Sequence, residues 1–126
     1  MSSAIVLVAD DDDDILLLVT TRLRRDGFEV ISARNGEEAL ALAQEQRPAV
    51  AVLDVGMPGL DGLEVLARIR ADENLKGMRV LLLTAKAQES DVRRGYDAGA
   101  DAYVRKPFSP AELSTQVRGL LDGAAG

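Results

Sequence analysis

The chain has 126 residues, carries 21 acidic against 15 basic side chains for a net charge of −6, and contains neither cysteine nor histidine. This length predicts a single domain with a hydrophobic core, and the missing residue types exclude disulfides, thiolate metal sites and a phosphohistidine on this chain. The negative charge disfavours direct nucleic-acid binding, and short apolar runs without a charged N-terminal segment predict neither a membrane span nor a signal peptide, so we expect a cytoplasmic protein.

Five apolar segments predict β-strands, and each is followed by a segment with the pattern of an amphipathic helix. The strands are predicted at 4–9, 28–33, 50–54, 79–84 and 101–104. In the third of them, an unbroken apolar run is closed by the carboxylate of Asp54 and then by glycine and proline. Such a run is typical of a strand that is buried on both faces of a sheet.

The helices that follow these strands begin at recognisable capping residues. They are predicted at 12–26, 35–47, 61–71, 89–98 and 109–121. Asn35 and Asp61 each stand three residues before a glutamate, which is the spacing of a capping box, and Pro110 suits the first position of the last helix. The helix at 89–98 has the weakest apolar stripe, and residues 123–126 are expected to form a flexible tail.

The strict alternation of strands and helices predicts a parallel sheet with right-handed crossovers and helices on both faces. For five strands the commonest open order is 2-1-3-4-5, which gives an α/β, flavodoxin-like sandwich of three layers. The winding reverses between the first and third strands, and ligands bind there, beyond the carboxyl ends of the strands. Asp10 and Asp11 follow the first strand and Asp54 ends the third, so the three carboxylates are predicted to meet.

Thr84 and Lys106 are predicted at the same edge of the sheet, because they close the fourth strand and follow the fifth. Carboxylates gathered there repel one another by roughly 4 kcal/mol for each pair at 4 Å and an effective dielectric constant near 20. Lys106 offsets one of the three charges and a divalent cation would offset the other two. Oxygen ligands without histidine or cysteine favour Mg²⁺ or Mn²⁺. A carboxylate beside such an ion, a lysine and a hydroxyl can accept a phosphoryl group.

Five short motifs mark the ends of the predicted strands. They are Ile5–Asp11, Asp54 with Met57–Pro58 and Asp61–Gly62, Thr84–Ala85, Gly99–Asp101, and Lys106–Phe108. Each motif is weak alone, but in this order and at these spacings they are highly specific. Together they resemble the receiver domain of two-component response regulators over residues 4–121, so that the domain would occupy residues 1–122.

The resemblance implies a role for each residue near the predicted metal. Asp54 would be the phosphoacceptor. Asp11, Asp54 and the backbone carbonyl of Gly56 would hold Mg²⁺, with Mn²⁺ as a substitute. Asp10 would contribute to metal binding through a water molecule.

The resemblance also implies roles for residues on the last two strands. Thr84 would bond to a phosphoryl oxygen, and Lys106 would pair with the phosphoryl group. Tyr103 corresponds to an aromatic residue whose ring turns inward when the threonine is drawn to the phosphoryl group. The Lys106–Pro107 peptide bond is expected to be cis, an isomer that is open mainly to bonds preceding proline.

The function implied by the resemblance is a phosphorylation switch rather than an enzyme. A sensor histidine kinase or a phosphotransfer protein would donate the phosphoryl group from a phosphohistidine, and the charge of the metal-bound site would change from 0 to about −1. The helix at 89–98, the fifth strand and the last helix would then shift and signal to an effector protein or an output domain. A homodimer on activation, with charge pairs involving Asp97, Asp101 and Arg118, is a further expectation.

Other functions fit part of the pattern. A receiver-like module that binds partners without taking phosphate would have the same fold. A small phosphatase of the halo-acid-dehalogenase type would also use an aspartate nucleophile and Mg²⁺. Its D-x-D-x-T/V motif follows the first strand, however, whereas the run beginning at Asp10 has Asp14 in place of the final residue. A calcium loop of the EF-hand type is excluded, because Ile15 stands where its turn requires glycine.

Overall fold

The computed structural model describes residues 4–84 and 99–125, with side chains as far as Asp122. Its elements are β1 (Ile5–Ala9), α1 (Asp13–Arg25), β2 (Glu29–Ala33), α2 (Gly36–Gln46), β3 (Val50–Asp54), α3 (Gly62–Ala71), β4 (Arg79–Thr84), β5 (Ala102–Arg105) and α4 (Pro110–Ala125). The helix predicted at 89–98, with Asp97, lies outside the described residues. Within them, no helix is long and apolar enough to cross a membrane.

The five strands form one parallel sheet in the order β2-β1-β3-β4-β5, which confirms the predicted topology. Helices α1 and α4 pack together on one face, and α2 and α3 pack together on the other. The central strand β3 is therefore covered on both sides, as its continuous apolar run predicts. Every residue of β3 is buried, including Asp54 at its end.

Two apolar clusters form the core, one on each face of the sheet. Consecutive residues of a strand point to opposite faces, so Leu53 packs towards α2 and α3 whereas Val52 packs towards α1 and α4. Both side chains are fully buried. This packing anchors the strand ends from which the acidic side chains project.

The helix starts agree with the capping signals. The side chain of Asn35 accepts a hydrogen bond from the Glu38 amide at 2.8 Å, and Asp61 and Glu64 form a complete capping box. The side chain of Asp12 caps α1 by accepting hydrogen bonds from two amides of the first turn, at 2.9 and 3.2 Å. These caps satisfy amides that have no partner within a helix.

Helix α4 continues to Ala125, beyond the predicted helix end at residue 121, and the flexibility of residues 123–126 stays a prediction. Gly123 lowers helix stability by about 1 kcal/mol relative to alanine, but unlike proline it removes no hydrogen bond and causes no clash. Two alanines, the best helix formers, follow it. One glycine in this context does not end the helix.

Candidate functional site

Asp10, Asp11 and Asp54 meet at the carboxyl ends of β1 and β3. One carboxylate oxygen of each lies within 4.8 Å of the others. Asp10 is fully buried and Asp54 is 4% exposed, whereas Asp11 is exposed at the rim. The structure therefore brings together the three carboxylates that the sequence predicts, and the pocket is open to solvent on the side of Asp11.

Lys106 reaches into this cluster from the end of β5. Its Nζ lies 3.0 Å from Asp10 Oδ2 and 3.3 Å from Asp54 Oδ1. Its backbone amide donates to the carbonyl oxygen of Thr84 at 2.7 Å, and the Lys106–Pro107 peptide bond is cis. Burial lowers the pKa of Lys106, but the carboxylates of Asp10 and Asp54 outweigh burial, so the pKa is raised overall and the amino group is charged.

Backbone amides orient the two buried carboxylates. Asp10 Oδ1 accepts a hydrogen bond from the Asp12 amide at 2.9 Å, and Asp54 Oδ1 accepts one from the Gly56 amide at 3.2 Å. Among the described residues, the buried Oδ2 of Asp10 has no well-aligned hydrogen bond and relies on the charge of Lys106. Buried polar atoms of this kind usually have a further partner, such as a water molecule or an ion.

The environment of Asp54 disfavours its negative charge. Burial, and then the charge of Asp10, raise the pKa of Asp54 to about 6, although the Gly56 amide and Lys106 act in the opposite direction. Three carboxylates and one ammonium group leave a formal charge of −2 in the pocket. Closely spaced oxygen ligands with this charge fit a hard divalent cation such as Mg²⁺ or Mn²⁺.

Thr84, Tyr103 and Gly56 lie where the sequence predicts them, around this pocket or on the strands that lead to it. Thr84 is the last residue of β4 and is buried, directly beside the start of the Lys106 loop. Tyr103 is half-buried on β5, opposite Leu82 of β4, and packs against the core cluster on the α2 and α3 side. Gly56 is exposed, and a Cβ atom there would lie 3.9 Å from Asp54 Oδ1.

Two glycines that support the site were not recognised from the sequence as positioning residues. A Cβ atom on Gly62 would lie 2.5 Å from the carbonyl oxygen of Asp54. The start of α3 therefore packs so closely against the backbone of Asp54, the candidate phosphoacceptor, that it leaves no room for a larger side chain. A Cβ atom on Gly36, the first residue of α2, would overlap with the carbonyl oxygen of Leu60. The available signal was a glycine directly after each helix cap, where alanine is the better helix former.

Asp101 and Arg118, which the sequence suggested for charge pairs in a dimer, have partners within the chain. Asp101 Oδ2 lies 2.9 Å from Arg70 Nη2. Arg118 donates to the carbonyl oxygen of Asp26 at 3.0 Å, and its guanidinium lies 4.6 Å from the centre of the Phe28 ring. These intrachain contacts leave the pairing across a dimer as a prediction.

Comparison with known proteins relates the sequence to one family, whose description is "Response regulator receiver domain" and which matches residues 6–118. The chain is 44% identical over 99 residues to the alkaline phosphatase synthesis transcriptional regulatory protein PhoP of Bacillus subtilis, a match covering 79% of this chain and 40% of that protein. It is 46% identical over 99 residues to the probable transcriptional regulatory protein TcrX of Mycobacterium tuberculosis, covering 79% and 42%. The chain spans less than half the length of these relatives.

Solved structures show the same architecture. The chemotaxis response regulator CheY4 of Vibrio cholerae has a TM-score of 0.89 and 34% sequence identity, covering 94% of this chain and 99% of that chain. The BeF3-activated DrrB receiver domain has a TM-score of 0.86 and 34% identity, covering 96% and 99%. Sheet order, acidic pocket and family match agree, and the chain therefore belongs to the response regulator receiver domain family.

Proposed function

We propose that this receiver domain is a phosphorylation switch in which Asp54 accepts a phosphoryl group from a phosphohistidine on a sensor histidine kinase or a phosphotransfer protein. The observation that carries the proposal is the pocket in which the carboxylates of Asp10, Asp11 and Asp54 lie within 4.8 Å and Lys106 Nζ lies 3.3 Å from Asp54 Oδ1. A nucleophilic carboxylate, a cation site and a fixed positive charge are the components that phosphoryl transfer requires.

In the transfer step, a carboxylate oxygen of Asp54 attacks the phosphorus atom. The bond from phosphorus to the histidine nitrogen breaks, that nitrogen keeps the electron pair, and an acyl phosphate forms on Asp54. Lys106 is placed to neutralise charge on the oxygens of the transferring group, because its amino group already pairs with Asp54. The buried position of Asp54 limits the access of water to the acyl phosphate.

The residues present fit a divalent cation, which we propose to be Mg²⁺. Asp11, Asp54 and the backbone carbonyl of Gly56 would hold it, with support from Asp10. Mg²⁺, when bound, supplies positive charge that offsets the developing charge of the phosphoryl oxygens. The −2 charge of the pocket is the physical reason for a dication here rather than a monovalent ion.

Phosphorylation replaces the single charge of Asp54 by about two. We propose that this charge draws the hydroxyl of Thr84 inward as a hydrogen-bond donor and strengthens the pairing with Lys106. Both groups end or follow neighbouring strands, and Lys106 connects β5 to α4. The change would therefore reach Tyr103 on β5 and the outer surface of α4.

The output is proposed to be protein–protein signalling in the cytoplasm, with an effector protein or an output domain as the recipient. We propose transcription as the process under control, a proposal supported by relatives that are named as transcriptional regulatory proteins. The domain would act as a phosphoacceptor that takes part in its own phosphorylation, and not as an enzyme that turns over a separate substrate. The described site favours this reading because its proposed nucleophile, Asp54, ends β3, whereas the phosphatase motif would follow β1.

Incubation with acetyl phosphate and Mg²⁺, read by intact mass, tests the proposal. We expect wild-type protein to gain one phosphoryl group and Asp54→Asn to gain none. Asp122→Asn, at an exposed carboxylate on α4, is the matched control and should behave as wild type. A wild-type protein that gains no phosphoryl group would favour a binding module that works without phosphate, and an undiminished gain in Asp54→Asn would show that the acceptor is another residue.

A further inference from the structure

The guanidinium group of Arg70 uses all five of its N–H donors inside the protein. Arg70 stands near the end of α3, and its side chain is 22% exposed. Nε and Nη2 donate to the carbonyl oxygen of Gly99 at 3.0 and 2.7 Å, and Nη2 also donates to Asp101 Oδ2 at 2.9 Å. Nη1 donates to the carbonyl oxygens of Lys76 and Met78 at 3.1 and 2.6 Å.

Asp101 extends this contact to the first residues of β4. Its Oδ2 atom accepts a hydrogen bond from the Val80 amide at 2.8 Å, and its own amide donates to the Val80 carbonyl oxygen at 2.8 Å. Arg79 Nη1 lies 3.6 Å from Asp101 Oδ1. Arg70 and Asp101 together therefore join α3, the start of β4 and the segment that enters β5. β5 begins at Ala102, one residue later than predicted.

Gly99 shows how closely this segment approaches the guanidinium group. Its φ angle of +101° is a backbone conformation that favours glycine. A Cβ atom there would also lie 2.9 Å from Arg70 Nε. Both constraints keep the carbonyl oxygen of Gly99 within reach of two Arg70 donors.

The strand that begins at this contact is short, and its register needs support from outside the sheet. Within the part of the chain that the structure describes, β5 has four residues and lies at the edge of the sheet, where it pairs with β4 alone. A shift of one residue along a strand moves its end by about 3.3 Å. Lys106 follows β5 directly, and such a shift would equal the whole distance between its amino group and Asp54 Oδ1.

We infer that Arg70 is a positioning residue for Lys106: it fixes the start of β5, and through the strand it holds the lysine at the phosphoacceptor. The inference rests on the proposed function for the role of Lys106 in phosphoryl transfer. Asp10 and Asp11 follow β1 and Asp54 ends β3, and among the described residues none of the three has a hydrogen bond or ion pair with Arg70. The effect of Arg70 should therefore be confined to the lysine side of the pocket.

The first test uses Arg70→Lys, which keeps the charge but replaces a planar fork of five donors by one nitrogen that cannot reach all four acceptors. Arg68→Lys, at an exposed position on the same helix, is the control. Amide hydrogen exchange is measured at Lys106, whose amide donates to Thr84, and at Val8 of β1. We expect exchange at Lys106 to accelerate by about tenfold or more in Arg70→Lys alone, with Val8 unchanged. Unchanged exchange at Lys106, or equal acceleration at both amides, would overturn the inference.

The second test is a double-mutant cycle on the rate of phosphorylation by acetyl phosphate. Arg70→Lys should lower the rate by about 10- to 100-fold, the size expected for a misplaced catalytic group, and should cause no further loss in a Lys106→Ala background. If the double variant instead loses rate by the product of the two single-variant losses, Arg70 acts on general stability and the inference is wrong.

The two tests separate failure of the inference from failure of the proposed function. If wild-type protein takes no phosphoryl group, the proposed function fails, and hydrogen exchange alone decides whether Arg70 holds β5. If Arg70→Lys does not fold, Asp101→Asn takes its place in both tests. This substitution removes the negative charge that pairs with the Arg70 guanidinium and keeps the shape of the side chain. Wild-type exchange at Lys106 in a folded Asp101→Asn protein would overturn the inference.

Discussion

The amino nitrogen of Lys106 lies 3.3 Å from Asp54 Oδ1 and at the same time 3.0 Å from Asp10 Oδ2. The amino group of Lys106 thus pairs with two buried carboxylates, one directly after β1 and one at the end of the neighbouring strand β3. In the sheet order β1-β3-β4-β5, β4 separates the lysine's strand from that of Asp54, so the lysine reaches across the end of β4 at Thr84. The charge balance of the pocket depends on a side chain from an edge strand.

Removal of the charged amino group of Lys106 should destabilise the metal-free protein. Lys106→Ala leaves the carboxylates of Asp10 and Asp54 without their positive neighbour. We expect the free energy of unfolding to fall by roughly 2 kcal/mol, less than for a fully buried pair because the pocket opens to solvent. Urea unfolding in EDTA measures the change, which should shrink when Mg²⁺ is added.

The control for this substitution is Lys76→Ala, which breaks the exposed ion pair of Lys76 with Glu73. Exposed pairs contribute about 0–1 kcal/mol, so its effect should be small. Equal effects of the two substitutions would show that the lysine in the pocket has no special electrostatic role.

Asp54→Asn should stabilise the metal-free protein, and the gain should depend on pH. The pKa of Asp54 is raised from 3.8 to about 6 by burial and by the charge of Asp10. Between these values the folded state holds a proton that the unfolded state releases, so wild-type stability falls as pH rises towards 6. Above pH 6 the full penalty applies, and we expect about 1–2 kcal/mol after allowance for solvent at the pocket.

Unfolding free energies of wild type and Asp54→Asn in EDTA, compared at pH 7 and at pH 4, test this prediction. The difference should be large at pH 7 and small at pH 4, where the carboxyl group is mostly neutral in the folded state. Asp122→Asn should show no such dependence. A wild-type protein as stable as Asp54→Asn at pH 7 would contradict an unfavourable charge at this position.

The fold and the site residues were predictable because their signals are local in the sequence. Apolar runs, capping residues and the residue types at strand ends each lie within a few positions of one another, and parallel topology places all strand ends at one edge. The role of Arg70 was not predictable. The helical spacing from Leu63 and Leu66 places Arg70 on the apolar side of α3 and Arg68 on the opposite side. The partners of Arg70 at Gly99 and Asp101, however, are distant from it in the sequence, so no local pattern indicates them.

The interpretation of Asp101 illustrates the same limit. As the first residue of the predicted fifth strand, it suggested a charge available to a dimer partner, and that pairing stays a prediction. The sequence did not reveal that its carboxylate is bound by Arg70 and by the Val80 amide, two partners that are distant from it in the sequence. Contacts between distant segments decide whether a charge faces a neighbour in the chain or the solvent, and no local pattern carries that information.

Gly62→Ala should destabilise the protein although alanine favours helices. A Cβ atom at Gly62 would lie 2.5 Å from the carbonyl oxygen of Asp54, and that backbone atom cannot move without shifting β3. We expect a loss of about 1–3 kcal/mol, as for other overpacked sites, together with slower phosphorylation. Thermal unfolding and the acetyl phosphate reaction measure the two effects.

Gly119→Ala is the matched control, because Gly119 lies in α4 and a Cβ atom there would meet open space, with no neighbouring side chain of the described residues within 4 Å. The same substitution should there stabilise the protein by about 0.5–1 kcal/mol through helix propensity. The two substitutions should therefore change the free energy of unfolding in opposite directions. Two stabilising effects would mean that α3 moves away from Asp54 without cost.

Asp11 and Asp13 belong to the same acidic run, but only Asp11 should affect Mg²⁺ binding. The Asp11 carboxylate lies within 4.8 Å of those of Asp10 and Asp54, whereas Asp13 pairs with Arg34 at 3.2 Å, with both side chains exposed. We expect Asp11→Asn to raise the Mg²⁺ concentration at half-saturation by about tenfold or more, since it removes a charged ligand, and Asp13→Asn to change it by less than about twofold. The rise in thermal midpoint with Mg²⁺ concentration measures both values. Equal losses in the two variants would indicate that the run attracts Mg²⁺ through its total charge and not through ligands in the pocket.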